Sequence, residues 1–89
     1  MATNAAFAVA KATAQHLKGE LDKAAARMRG FPKLANGLTP DDVKASPEWR
    51  AARAAYWAAH DAYRAFNAQF TRAFKRELRA ERNARREAV

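Results

Sequence analysis

The side chains of this chain that could make or break bonds are few. They are His16 and His60, the hydroxyls of Thr3, Thr13, Thr39, Ser46 and Thr71, and the adjacent carboxylates Asp41 and Asp42. A helix-borne zinc site needs ligands one turn apart, as in H-E-x-x-H, and neither histidine has a second histidine or a cysteine at that spacing. Nucleophilic catalysis needs a hydroxyl poised by a base, and no hydroxyl here has a histidine at a motif spacing. There is no glycine-rich phosphate loop. Asp41 and Asp42 follow Thr39-Pro40, where two carboxylates complement the positive end of a starting helix, so acid–base work is not needed to explain them. The chain reads as non-enzymatic, with no cofactor and no metal.

What the residues offer instead is non-covalent contact. Arg72, Lys75, Arg79, Arg82 and Arg86 fall on one face of a helix, flanked by Arg76 and Arg85. Arginine predominates, and its planar guanidinium grips phosphates bidentately and stacks on bases. In composition this stretch is similar to the arginine-rich helical motifs that enter RNA grooves or hold DNA phosphates. The likeness covers residues 71–89 alone, which hold seven basic and three acidic residues. Its alternative is a solvated helix end stitched by internal pairs such as Glu81 with Arg85.

A second candidate surface gathers Arg53, Trp57, His60 and Arg64, with Asp61 beside them. A tryptophan between arginines suits cation–π contact or a protein-interface hot spot. Burial beneath the 30–46 segment, against Phe31 or Leu34, is the structural alternative for Trp57. Phe74 and Leu78, at the base of the basic stretch, complete the candidate protein-contact residues.

These surfaces sit on a chain of 89 residues, one small domain, with 17 basic and 9 acidic residues and a net charge of +8. The excess of cations points to an anionic partner, nucleic acid foremost. Without cysteine there is no disulfide framework and no thiolate zinc site. No apolar run is long enough to span a membrane. The first fifteen residues lack a basic n-region, and Lys11 interrupts their apolar run, so no signal peptide and a cytoplasmic location are expected.

The elements that must position the surfaces are helices. Phe7, Ala10, Ala14, Leu17, Leu21, Ala24 and Met28 recur in steps of three and four, a heptad seam. This first helix spans about 4–29, capped by Thr3 or Asn4 and stopped at Gly30. Asn36-Gly37 reads as a turn. Thr39 caps a short helix with Pro40 in its first position, and Ser46-Pro47-Glu48 repeats the start signal. From Pro47 to about Arg86 neither glycine nor proline intervenes, so one continuous helix is expected there. Trp49, Ala52, Tyr56, Ala59, Tyr63, Phe66, Phe70 and Ala73 form its seam, with Phe74 and Leu78 slightly off line.

The expected architecture is all-α: an antiparallel hairpin of two long helices with a short connecting helix across 30–46. Counting outward from the connection sets Met28 and Phe31 near Trp49 and Phe7 near Phe70. The first helix then runs out where the arginines begin. Residues 71–89 are expected to project as a basic arm, leaving Phe74 and Leu78 without intrachain cover. A two-helix hairpin buries one stripe per helix, so a homodimer forming a four-helix bundle is expected. The function expected is nucleic-acid binding through Arg72, Lys75, Arg76, Arg79, Arg82, Arg85 and Arg86. The alternative is a small inhibitor or accessory factor, of phage or plasmid type, docking on an acidic surface of a host protein or ribonucleoprotein. A membrane-surface helix is the weakest reading, since Phe74 and Leu78 are the only large apolar residues between Arg72 and Arg86.

Overall fold

A computed structural model describes residues 5–88 of the chain. It consists of α1 (Ala5–Arg29), α2 (Asp41–Ala45), α3 (Pro47–Ala73) and α4 (Lys75–Glu87), with no strand among the described residues. The Thr3 and Asn4 caps expected for α1 lie outside the described residues.

α1 and α3 pack side by side as the hairpin, and their seams meet as the spacing predicts. Every α1 seam residue from Phe7 to Met28 is half-buried, as are Trp49, Tyr56, Tyr63 and Phe66 of α3. Ala52 and Phe70 are the buried positions among the described residues. Phe7 stacks on Phe70 with ring centroids 5.9 Å apart, which fixes the antiparallel register where counting from the connection placed it. At the other end Met28 shares a recess with Arg53, Tyr56 and Trp57.

The connection holds itself rather than the hairpin. The Leu34 amide donates to the Leu38 carbonyl at 2.8 Å, and the Gly37 amide donates to the Leu34 carbonyl at 2.9 Å. Asn36 Oδ1 accepts from the Leu38 amide at 3.0 Å, a side chain closing its own turn. Gly37 takes φ +85°, a conformation that glycine adopts without a side-chain penalty. Leu34 and Leu38 stay exposed.

Two starts follow. α2 begins after Pro40, whose carbonyl accepts from the Lys44 amide, and no side chain caps it. The cap expected from Thr39 is therefore replaced by the turn chemistry of Pro40, whose fixed φ of −60° presets the entry. α3 starts as the sequence indicates: Ser46 Oγ accepts from the Trp49 amide at 3.2 Å, with Pro47 in the first turn. Ser46 Oγ also donates to the Val43 carbonyl at 2.7 Å, so one hydroxyl ties the end of α2 to the start of α3.

The expected continuous helix over 47–86 is broken at Phe74, which takes φ −117° and ψ 35°. No glycine or proline causes this. Thr71 Oγ1 donates back to the carbonyls of Asn67 (2.9 Å) and Ala68 (3.2 Å), a local bond that bends helices. The gain lies in Phe74. Its ring reaches the Phe7 ring at 5.5 Å while Phe70 keeps its own contact with Phe7. A straight helix would carry Phe74 past the end of α1; the bend keeps its ring against Phe7.

The expectation of an unaccompanied projecting arm is corrected accordingly. α4 bends back toward the first turns of α1, where Lys11 Nζ pairs with Glu81 Oε2. Phe74 and Leu78 are half-buried within their own chain, not left uncovered.

Candidate nucleic-acid interface

On α4 the burial pattern sorts the residues by charge. Glu77, Leu78 and Glu81 are half-buried, on the side nearest α1. Lys75, Arg76, Arg79, Arg82, Arg85 and Arg86 are all exposed, as is Arg72 in the last turn of α3. Helical spacing explains the sorting: 74, 78 and 81 recur at steps of four and three and so share one face. Arg85 continues that face into the cleft, while Lys75, Arg76, Arg79, Arg82 and Arg86 occupy the remaining circumference. An anion approaching from solvent meets guanidinium and ammonium groups, while one of the two inward carboxylates is occupied by Lys11. Lys11, Glu81, Ala84 and Arg85 border an open cleft of about 280 Å³ where α4 meets α1. The Glu81–Arg85 pair considered from sequence gives way to this long-range pair across the chain.

α3 has two unlike flanks beside its seam. Ala51, Ala55, Ala59, Ala62, Phe66 and Ala73 follow helical spacing along one of them. There Ala55 and Ala59 face Glu20, Ala24 and Arg27 of α1 across a recess of about 250 Å³. The opposite flank carries Arg53, Trp57, His60 and Arg64 at steps of four, three and four. Arg53 lies over the Trp49 ring, its guanidinium carbon 5.8 Å from the centroid.

Trp57 is 46% exposed, which decides between its two sequence readings: the connection does not cover it. Its indole is nevertheless braced. The His60 ring meets it edge-on at 5.2 Å and the Tyr56 ring at 5.3 Å. His60 is in turn held beside Asp61, with Nδ1 3.4 Å from the carboxylate. Arg53, Tyr56 and Trp57 line a recess of about 340 Å³ together with Ala25, Met28 and Arg29 of α1.

The structure thus brings Arg53, Trp57 and His60 together, with exposed Arg64 one turn further along. It separates Phe74 and Leu78 from that group and gives them to the α1–α4 contact. Two cations escaped the sequence reading: Lys11, which holds Glu81, and Arg29, which lines the Trp57 recess. The register puts both on one flank of α1, but the pairing of Lys11 with Glu81 follows only from the bend at Phe74. Lys11, Lys18 and Ala25 lie seven apart on the flank of α1 that faces Trp57, and Arg29 follows Ala25 by one turn.

Glu20, one turn after His16, is paired with Lys23 at 3.2 Å. Among the described residues no three metal-ligating side chains converge, and no helix is long and apolar enough to cross a membrane. Compared with known proteins, the chain matches no family model, no curated protein and no solved structure.

Proposed function

We propose that this protein is a non-enzymatic, nucleic-acid-binding helical protein that grips phosphates through α4. The observation that carries the reading is the sorting of charge: six exposed cations on α4 and Arg72 at the end of α3, with Glu77 and Glu81 turned inward. Carboxylates turned outward would repel a polyanion. Here Lys11 engages one of them within the chain, so the exposed field of α4 is cationic apart from Glu87 near its end. Phosphate contact supplies affinity without reading bases.

Five phosphate contacts on duplex DNA give log affinity a slope against log salt of about −4.5. Replacing Arg72, Lys75, Arg79, Arg82 and Arg86 by glutamine flattens that slope. Titrations across salt concentrations with labelled DNA and RNA check it, and the absence of salt-dependent binding to either would sink the reading.

The binding unit in this proposal is a homodimer that builds a four-helix bundle. The chain exposes 6897 Å², against about 5,200 Å² for a compact chain of this length. The surplus, about 1,700 Å² on one chain, exceeds the roughly 800 Å² that each partner of a standard interface buries. The alanine flank of α3 lets a second copy approach closely, its small side chains receiving larger ones. Sedimentation equilibrium reads the result directly: a single-chain mass at micromolar concentration would remove the dimer and leave the α4 reading standing.

A further inference from the structure

The bend at Phe74 has a geometric consequence for the rest of the surface. Lys11, which holds α4, lies on the same flank of α1 as Ala25, since Lys11, Lys18 and Ala25 are seven residues apart. Ala25 and Arg29 line the recess that holds Trp57. α4 is therefore tipped toward the flank that carries the exposed indole, away from the alanine flank, where α3 contributes only Glu48 in its first turn. Lys11 and Ala25 are 14 residues apart along α1, about 21 Å. Between the cations of α4 and the Trp57 recess, α3 contributes exposed Arg64. Two of the carboxylates on this side are paired with cations, Asp22 3.5 Å from Lys18 and Glu81 on Lys11, while exposed Asp61 stands beside the His60 ring.

An exposed indole between Arg29 and Arg53 has the make-up of a base-stacking platform: an aromatic face, cations for the adjoining phosphate, and a recess about 340 Å³ in volume. Its bracing by Tyr56 and His60 limits the rotamer freedom lost when a base stacks. The bases of a duplex are already stacked on one another, so an indole lying along a helix flank has no free base face to meet there. An unpaired strand offers one. We infer that the ligand is single-stranded nucleic acid, running from α4 along the Arg64 flank, with a base stacked on Trp57 and its phosphate held by Arg29 and Arg53. This inference rests on the nucleic-acid reading of α4 and adds the class of strand and the second contact.

The test compares an oligothymidine of about 16 nucleotides, the upper end of single-fold site sizes, with a duplex of the same length. The wild-type chain binds the single strand more tightly. Trp57→Ala weakens that binding about 5- to 150-fold, as the loss of one stacked base does, with the salt slope unchanged and duplex binding unaffected. Trp57→Phe, which keeps a stacking ring, retains most of the affinity and guards against a folding artefact. In a Trp49→Phe background, where Trp57 is the sole indole, the oligothymidine quenches its fluorescence and the duplex does not.

Unchanged oligothymidine binding by Trp57→Ala would overturn the inference while leaving the α4 reading intact. So would a Trp57→Ala chain that binds normally but no longer self-associates, which would make the indole a protein contact. A wild-type chain that binds neither probe removes both readings together.

Discussion

The hairpin body and α4 are held by different physics. α1 and α3 share a seam of apolar residues that runs the length of both, and three phenylalanines of α3 and α4 gather around Phe7 at its end. α4 leans on that same ring cluster at its first turn, but farther along it is tied to α1 by a partly exposed ion pair. Apolar contact is non-directional and additive with area, so it sets the register of the body. An ion pair at the surface contributes little energy, so it orients α4 without locking it. The difference teaches where each job sits: stability in the seam, and the proposed ligand contact on the element held most loosely.

Three substitutions break that comparison in order of effect. Phe70→Ala removes the residue common to both regions, a ring that is 7% exposed and stacked on Phe7 and Phe66. It is expected to cost about 3 kcal/mol or more, a large share of the stability of so small a chain, read from urea unfolding followed by circular dichroism. A loss below about 1 kcal/mol would mean that the ring cluster does not hold the body together. Ser46→Ala deletes the cap on the Trp49 amide and the tie to Val43, and should lower stability by about 1 kcal/mol. Its effect belongs to the body, so nucleic-acid affinity should stay unchanged at temperatures where the chain is folded. Lys11→Ala sharpens the contrast by acting on α4 alone. With side chains 42% and 34% exposed in the pair, the global cost is a few tenths of a kcal/mol. Amide exchange should quicken in α4 while the α1 and α3 amides are unaffected, and uniform quickening would show that α4 is part of the cooperative body.

Most of the hairpin was legible in the sequence because its determinants are local or periodic. The α1 seam needs nothing but spacing. Ser46-Pro47 announces α3, and Phe7 finds Phe70 by counting from the connection. The bend at Phe74 was not legible in this way. It arises where a threonine bonds back along its own helix and where a ring on α1, far off in sequence, rewards Phe74 for leaving the helical path. Lys11 as the partner of Glu81 follows from that bend and was hidden with it. Trp57 could not be placed from sequence because its exposure depends on where residues 30–46 lie. That segment closes on itself through Leu34 and Leu38 and leaves the indole open. The six cations of α4 and Arg72 before them were legible as a group; that Glu77 and Glu81 between them turn inward was not.

The elongated body has a practical consequence for anyone handling this protein. With extents of 58 × 27 × 16 Å and a radius of gyration of 18.2 Å, against about 12 Å for a compact chain of this length, it tumbles and diffuses as a rod does. Its frictional drag exceeds that of a sphere of equal mass, so a sizing column will report it as heavier than it is. One copy can therefore elute where two would be expected, and the copy number must come from a method that weighs particles without reference to shape.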